Sequence, residues 1–328
     1  MKKVKNFNQN IYAINVLMDG GLGNQIFQYL AGRFLSDELN CDSIKFMHVS
    51  SQFPAIKKLI DCNEIQSKSF SKLNENYYKN KIKAKSKYLF NQLDQYLQYK
   101  FRLPILSNNL ILKEEINLPC IKNDLKESIN HSRYLANRIQ KKFVITVDGF
   151  WQDPMQYKDK LDYLSKKFSE RLLTSSNQIN LSPNSYITIH ARRGDYVNNS
   201  ANSKEYYSNY SLINFIMASL NIIPSELDDL PVILITDDIE WFKKFNINRL
   251  SMIKRKITIC EGDEIVHWQL MNNARLNIIS NSTFSFTSAL LNKVNSEQKL
   301  RIIMPFWFNN SKSMLSKGWA KVKGSIAI

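Results

Sequence analysis

Two adjacent arginines, Arg192 and Arg193, stand in the run HARRGDY, flanked by His190 and Asp195. A guanidinium is a planar fork of donors that stays charged, which suits a phosphate or diphosphate. The competing use is a structural ion pair with Asp195. Further along, SNSTFSF offers Ser282, Thr283 and Ser285 where a helix is expected to begin. Hydroxyls and free N–H groups at a helix start make an anion site, and the same residues also serve as an ordinary cap. In ITDD a carboxylate follows an apolar run, and Asp237, ahead of Asp238, is the candidate to accept from a ribose or a base. The alternative is that it only caps the next helix.

The fourth stretch, DGGLGNQ, crowds Gly20, Gly21 and Gly23 against Asn24 and Gln25. It is neither of the two common phosphate loops, because it lacks the G-x-G-x-x-G spacing and has no G-K-[ST]. No Asp-x-Asp, histidine cluster or acidic cluster offers metal ligands at a workable spacing. Arginine and backbone donors are therefore expected to meet the diphosphate charge without a metal. His48, His131 and His267 are isolated and read as core or surface residues. His190 abuts the arginines and is expected to orient the site rather than titrate in it.

These stretches need a scaffold that brings them together. YAINVLM is β-prone, and the helix after it carries Ile26, Phe27, Leu30, Phe34 and Leu35 at helical spacing. The second half alternates strand and helix: SYITIHA, then a helix through Leu220, PVILIT, KITIC, a helix from Asp263, LNIIS, a short helix, and LRIIMPFW as a last strand. That alternation points to open parallel sheets, in which ligands sit at the carboxyl ends of strands. All four stretches fall at such ends. A polar, proline-containing run, Ser175–Ser185, suggests a boundary between an N-terminal domain, 1–178, and a C-terminal domain, 179–328.

The chain has 328 residues, with 44% hydrophobic and 12% aromatic, enough to build two proper cores. No apolar run reaches membrane-span length, and no signal-peptide pattern appears, so a cytoplasmic location is expected. The four cysteines are scattered, which argues against a disulfide framework. With 45 Lys+Arg against 29 Asp+Glu, the net charge is +16 and favours anionic partners. A Lys/Tyr/Phe-rich stretch between Lys57 and Arg102 concentrates that surplus. No RNA-binding or helix-turn-helix signature supports a nucleic-acid partner. Peripheral contact with an anionic membrane face, or a glycan-facing surface, accounts for the stretch equally well.

Taken together, GGLGNQIFQYLAG, HARRGDY, ITDDIEWFKKF and ISNSTFSFTSALL resemble the α-1,2-fucosyltransferases of glycosyltransferase family 11. VDGFWQDPMQY, PFWF and Trp319 are lesser echoes, so the resemblance runs from Gly20 to Trp319. It implies an α/β, GT-B-like chain: two Rossmann-like domains with parallel sheets facing a central cleft. The implied donor substrate is GDP-L-fucose, with no other cofactor. Carried over by position, Arg192 meets the phosphates, with His190 and Asp195 shaping the turn and Arg193 beside it. Asp237 addresses the guanosine, and Ser282, Thr283 and Ser285 the diphosphate. Gly21, Gly23, Asn24 and Gln25 form a lip over the donor, the glycines admitting backbone and the two amides hydrogen-bonding the sugar nucleotide.

The chain departs from that family's pattern after the last motif, where Ser-Phe-Thr stands in place of Ser-Phe-Ser-Trp-Trp-Gly, and in Ala191 between His190 and the arginines. The implied reaction is inverting transfer of fucose to O2 of a terminal β-galactoside. The richness in Lys, Asn and Ile separately suggests an AT-rich bacterial genome, and hence a surface glycan such as O-antigen with an acceptor that can be lipid-linked. Asp195 and Glu205 are the nearest carboxylates for a base. The rivals are a fucosyltransferase of other linkage, such as α-1,6, and a non-catalytic polyanion-binding module.

Overall fold

A computed structural model describes residues 11–48, 55–66, 115–119, 125–138, 143–173, 181–194, 209–243, 255, 257–292, 300–305 and 318–328. Asp195, Glu205, Cys120 and most of the basic Lys57–Arg102 stretch lie outside them. The chain divides into two compact units, Met1–Trp151 and Gln152–Ile328.

The first unit is built on a parallel sheet of order β3-β2-β1-β5-β4. Its strands are β1 (Ile11–Met18), β2 (Ile44–His48), β3 (Ile65–Gln66), β4 (Glu115–Pro119) and β5 (Phe143–Asp148). β1 is central and almost continuously apolar, as a strand covered on both faces must be. Helix α1 (Leu22–Leu39) packs so closely on the sheet that a Cβ on Gly32 would sit 2.6 Å from the Phe46 ring and 2.8 Å from Val16. Tyr29 stacks on Phe46 with ring centroids 5.0 Å apart, and Arg33 lies against both rings while pairing with Glu64 at 2.8 Å. A second helix, α2 (Leu125–Arg138), precedes β5.

The second unit carries a parallel sheet of order β11-β10-β9-β6-β7-β8. The strands are β6 (Ile187–Ala191), β7 (Val232–Thr236), β8 (Ile257–Ile259), β9 (Leu276–Ile278), β10 (Ile302–Met304) and β11 (Ser325–Ala327). β6 and β7 are buried at every position. On one face Ile187, Ile189, Val232 and Leu234 pack against Leu212 and Ile216 of α4 (Asn209–Asn221). On the other, Tyr186, Ile233 and Ile235 pack against Leu270 and Met271 of α5 (Glu264–Asn273). Asp263 caps α5 by accepting from two backbone N–H groups.

The unit boundary lies ahead of the 178/179 position expected from composition. The segment after Trp151 buries its apolar groups among C-terminal elements. Phe168 of α3 (Leu161–Ser169) meets Trp268 at 5.8 Å between centroids. Trp319 donates from Nε1 to the Gln152 carbonyl at 2.7 Å and stacks on Phe286 at 3.9 Å and 4°. Gly318 closes on the Asp153 carboxylate, leaving no room there for a side chain. The polar run from Ser175 falls inside this unit's sequence, and its residues up to 180 lie outside the described ones. The edge strand β11 is absent from the sequence reading, which ends on LRIIMPFW, as are β3, β4 and α2 of the first unit. No helix among the described residues is long and apolar enough to cross a membrane.

Candidate active site

Three of the four chemistry-bearing stretches meet in the second unit, at the carboxyl ends of β6, β7 and β9. Thr236 stitches the first two: its hydroxyl donates to the Ala191 carbonyl at 2.9 Å and accepts from Asp238 N–H at 3.1 Å. Asp237 is held by the chain that leaves β6. One of its oxygens accepts Arg193 N–H at 2.7 Å, and the other pairs with Arg192 Nη1 at 2.9 Å. Gly194 must be bare for this to fit, because a Cβ there would come within 2.6 Å of the Asp237 carboxylate.

The two arginines have different fates. The Arg193 guanidinium is buried, donates from Nε to Asp238 at 2.9 Å and lies 3.8 Å from the Trp241 ring centroid. Partial burial alone would raise the Asp238 pKa. The Arg193 hydrogen bond, the Trp241 N–H and the Arg193 charge outweigh it and hold the carboxyl below its usual range. Arg193 therefore braces the turn, although sequence alone set it beside Arg192 as a ligand-binding residue. Arg192 keeps 37% of its side chain exposed.

From β9 the chain runs through Ser280 and Asn281 into α6 (Thr283–Leu290). Ser280 Oγ lies 3.2 Å from Arg192 N and 3.0 Å from Nδ1 of His190, tying this turn to β6. His190 is 5% exposed, with the Phe284 ring 5.5 Å away. Burial first, then the charges of Arg192 and His267, push its pKa down to about 3. The imidazole is thus neutral near pH 7.

Ser282 occupies the N-cap of α6 but makes no side-chain cap bond. The first-turn N–H groups are therefore not masked by that hydroxyl, and the helix dipole favours an anion there. Thr283 is the first residue of the helix and is half-buried. Ser285 is different: it is fully buried and donates inward to the Ser282 carbonyl at 3.2 Å. Ser282 is itself only 7% exposed, so of the three hydroxyl residues Thr283 alone is half-buried. Among the described residues no three His, Cys, Asp or Glu side chains gather as metal ligands.

The glycine turn belongs to the first unit. Gly20 has a φ of +78°, and a Cβ on it would sit 2.5 Å from Asn24 Nδ2. Gly21 is the N-cap of α1 at φ −72°, and a Cβ there would meet nothing within 4 Å. Gly23 is buried in the first turn of α1, and Asn24 is half-buried. Gln25 overturns the expectation that its amide faces a ligand. It is 2% exposed, donates to the Gly20 carbonyl at 2.8 Å, lies 3.3 Å from His48 Nε2 and accepts from Ile56 N–H at 3.0 Å. Gln28, which sequence reasoning missed, accepts from Asp19 N–H at 2.9 Å and donates to the Gly149 carbonyl at 3.0 Å. The available signal was a second amide three residues along the same helix, inside an apolar face.

A partly exposed guanidinium near a helix start, at the carboxyl ends of a parallel sheet, is an arrangement that suits an anion, in an α/β protein of the GT-B-like class. The sequence profile described as Glycosyl transferase family 11 matches residues 13–323, and the chain belongs to that family. It is a glycosyltransferase. Among its relatives is the Escherichia coli "O-antigen biosynthesis glycosyltransferase WbnK", 26% identical over 92% of this chain and 98% of that one. Another is an Escherichia coli "Alpha-1,2-colitosyltransferase", 24% identical over 93% and 97%. The fold is similar to that of an Arabidopsis thaliana FUT1 variant solved with GDP, at a TM-score of 0.51 and 11% identity, covering 94% of this chain and 73% of that one.

Proposed function

We propose that the chain transfers L-fucose from GDP-L-fucose, with inversion, to O2 of a terminal β-galactoside in a bacterial surface glycan of the O-antigen type. The observation that carries this reading is the exposed Arg192 fork, fixed by Asp237 beside the start of α6, in a chain of family 11. The O-antigen role and the 1,2 linkage draw on the names of the two relatives.

In this reaction the acceptor O2 attacks C1 of the sugar as the bond from C1 to the β-phosphate oxygen breaks. The electron pair of that bond goes to the phosphate, and the O2 proton leaves to a base, for which Asp195 and Glu205 stand as candidates. Arg192 and the first-turn N–H groups of α6 stabilise the growing phosphate charge without a metal. A preorganised donor of this kind is worth roughly 3–4 kcal/mol of barrier. His190, Asp237, Ser282 and Thr283 shape the nucleotide site around it, and Gly21, Gly23 and Asn24 are further candidates for donor contacts. The enzyme works in the cytoplasm, where its basic stretch leans on the anionic inner leaflet to reach lipid-linked acceptors.

A second donor reading, colitose in place of fucose, is favoured by the relative named for that sugar. The test incubates the full chain with GDP-fucose, GDP-colitose and UDP-sugars against a panel of β-galactosides, with and without EDTA, and reads product mass and linkage. Fucose on O2, insensitive to EDTA, is the expected result. Transfer only from UDP-sugars, only to another hydroxyl, or only with a divalent ion overturns it.

A further inference from the structure

Ser280 is 1% exposed and lies between two polar partners. A serine hydroxyl has one proton to donate and two lone pairs. One lone pair accepts the N–H of Arg192 at 3.2 Å, a bond whose direction is fixed because a backbone amide can only donate. The remaining partner is Nδ1 of His190 at 3.0 Å, and among the described residues the hydroxyl proton meets no other acceptor. Leaving a buried donor unmade costs more than forming a single bond gains. The proton accordingly goes to Nδ1, which must carry a lone pair, and the ring's own hydrogen sits on Nε2.

That assignment decides the sign of what His190 offers. The opposite tautomer would present a lone pair at Nε2 and repel any oxygen of a phosphate or a base. The Nε2–H tautomer donates to one. We infer that Ser280 is a positioning residue, whose hydroxyl, pinned by the Arg192 amide, holds His190 as a neutral Nε2–H donor toward an oxygen acceptor of the bound nucleotide. This rests on the GDP-sugar reading of the site. Nothing in it asks His190 to exchange a proton during the reaction. The titratable and charged groups that act on the ring are Arg192 on its own strand end and His267 on α5, and both oppose protonation.

The experiment uses the full chain labelled with 15N-histidine. There are 4 histidines, so His190 is assigned by the loss of its signals in His190→Gln. In the free protein His190 is expected to show the Nε2–H pattern and to stay neutral from pH 8 down to pH 5, about two units above the folded pKa near 3. An Nδ1–H pattern, or a titration midpoint near 6.5, overturns the inference. Ser280→Ala, checked for folding by circular dichroism, is expected to mix the two tautomers and weaken GDP binding about tenfold, the scale of one hydrogen bond to a charged acceptor. Ser280→Thr keeps the hydroxyl and is expected to restore both. Unchanged spectra and affinity in Ser280→Ala, or Ser280→Thr behaving like Ser280→Ala, overturns it as well. If the wild-type chain binds no GDP, the nucleotide half falls together with the proposed function. The tautomer, read without ligand, tells that failure apart from a failure of the Ser280 assignment.

Discussion

The carboxyl ends of the two sheets solve the same problem with opposite allocations of polar groups. In the first unit the side chains are turned inward: Gln25 ties the Gly20 turn, His48 and Ile56 together, while Gln28 ties Asp19 to Gly149. What is left at the surface there is Asp19, whose carboxylate accepts the Gly20 N–H, and the bare backbone of Gly20 and Gly21. In the second unit the bracing is shared among Arg193, Asp238 and Thr236, and a charged fork, Arg192, remains exposed. The first turn is held mostly by side-chain amides, with one carboxylate closing on its own loop. A site for a doubly charged group needs a fixed cation, and fixing it consumes a second arginine and two carboxylates.

The sharpest test of this division sets the neighbouring arginines against each other. Arg192→Ala is expected to lower transfer by about 10²–10³ while leaving the unfolding free energy within about 0.5 kcal/mol of wild type. Arg192→Lys recovers little, since an ammonium cannot reproduce the fork. Arg193→Ala is expected to destabilise by about 2–4 kcal/mol, through the lost Asp238 bond and the lost Trp241 contact. Denaturant unfolding together with initial rates separates the two. A well-folded but inactive Arg193→Ala would reverse the assignment and make both arginines ligand-facing.

Next in size is the bracing of the first unit. Gln25→Ala removes an amide that serves Gly20, His48 and Ile56, and leaves the buried Ile56 N–H and the part-buried Gly20 carbonyl without their partner. A loss of about 2–3 kcal/mol in stability is expected, with the donor KM rising only through loosened loops. A variant that melts like wild type but no longer binds GDP would mean that the amide turns outward to meet ligand.

Much of this arrangement was legible before the fold was known, and the remainder was not, for a definite reason. Strand and helix period, together with the residues that end each strand, located the sheets and three converging stretches of the second unit. Sequence spacing does not reveal which way a polar side chain points once its backbone is placed. Gln25 and Asn24 look alike on paper, as do Arg192 and Arg193, or Ser282 and Ser285. In each pair the outcome depends on one neighbour that is remote in sequence or one turn of helix away: Ile56 for Gln25, Asp238 and Trp241 for Arg193, the Ser282 carbonyl for Ser285. The unit boundary at 151/152 differs from the 178/179 expected from composition for the same reason: remote packing such as that of Phe168 and Trp319 joins residues 152–173 to the second unit.

The smallest structural effect belongs to the glycine turn, where it is also most informative. Gly20→Ala forces a side chain into a left-handed backbone and against Asn24, and costs at least about 1 kcal/mol. Gly21→Ala meets no protein atom within 4 Å, at an ordinary φ of −72°. Alanine caps a helix less well than glycine, but it also restricts the unfolded chain, and the two effects offset to within about 0.5 kcal/mol. If the bare backbone at Gly21 meets the sugar nucleotide, this well-folded variant should raise the donor KM several-fold, because the new methyl occupies the space into which the ligand fits. Unchanged kinetics in Gly21→Ala would show that the first unit contributes only bracing at this turn, and that donor binding rests on the second unit alone.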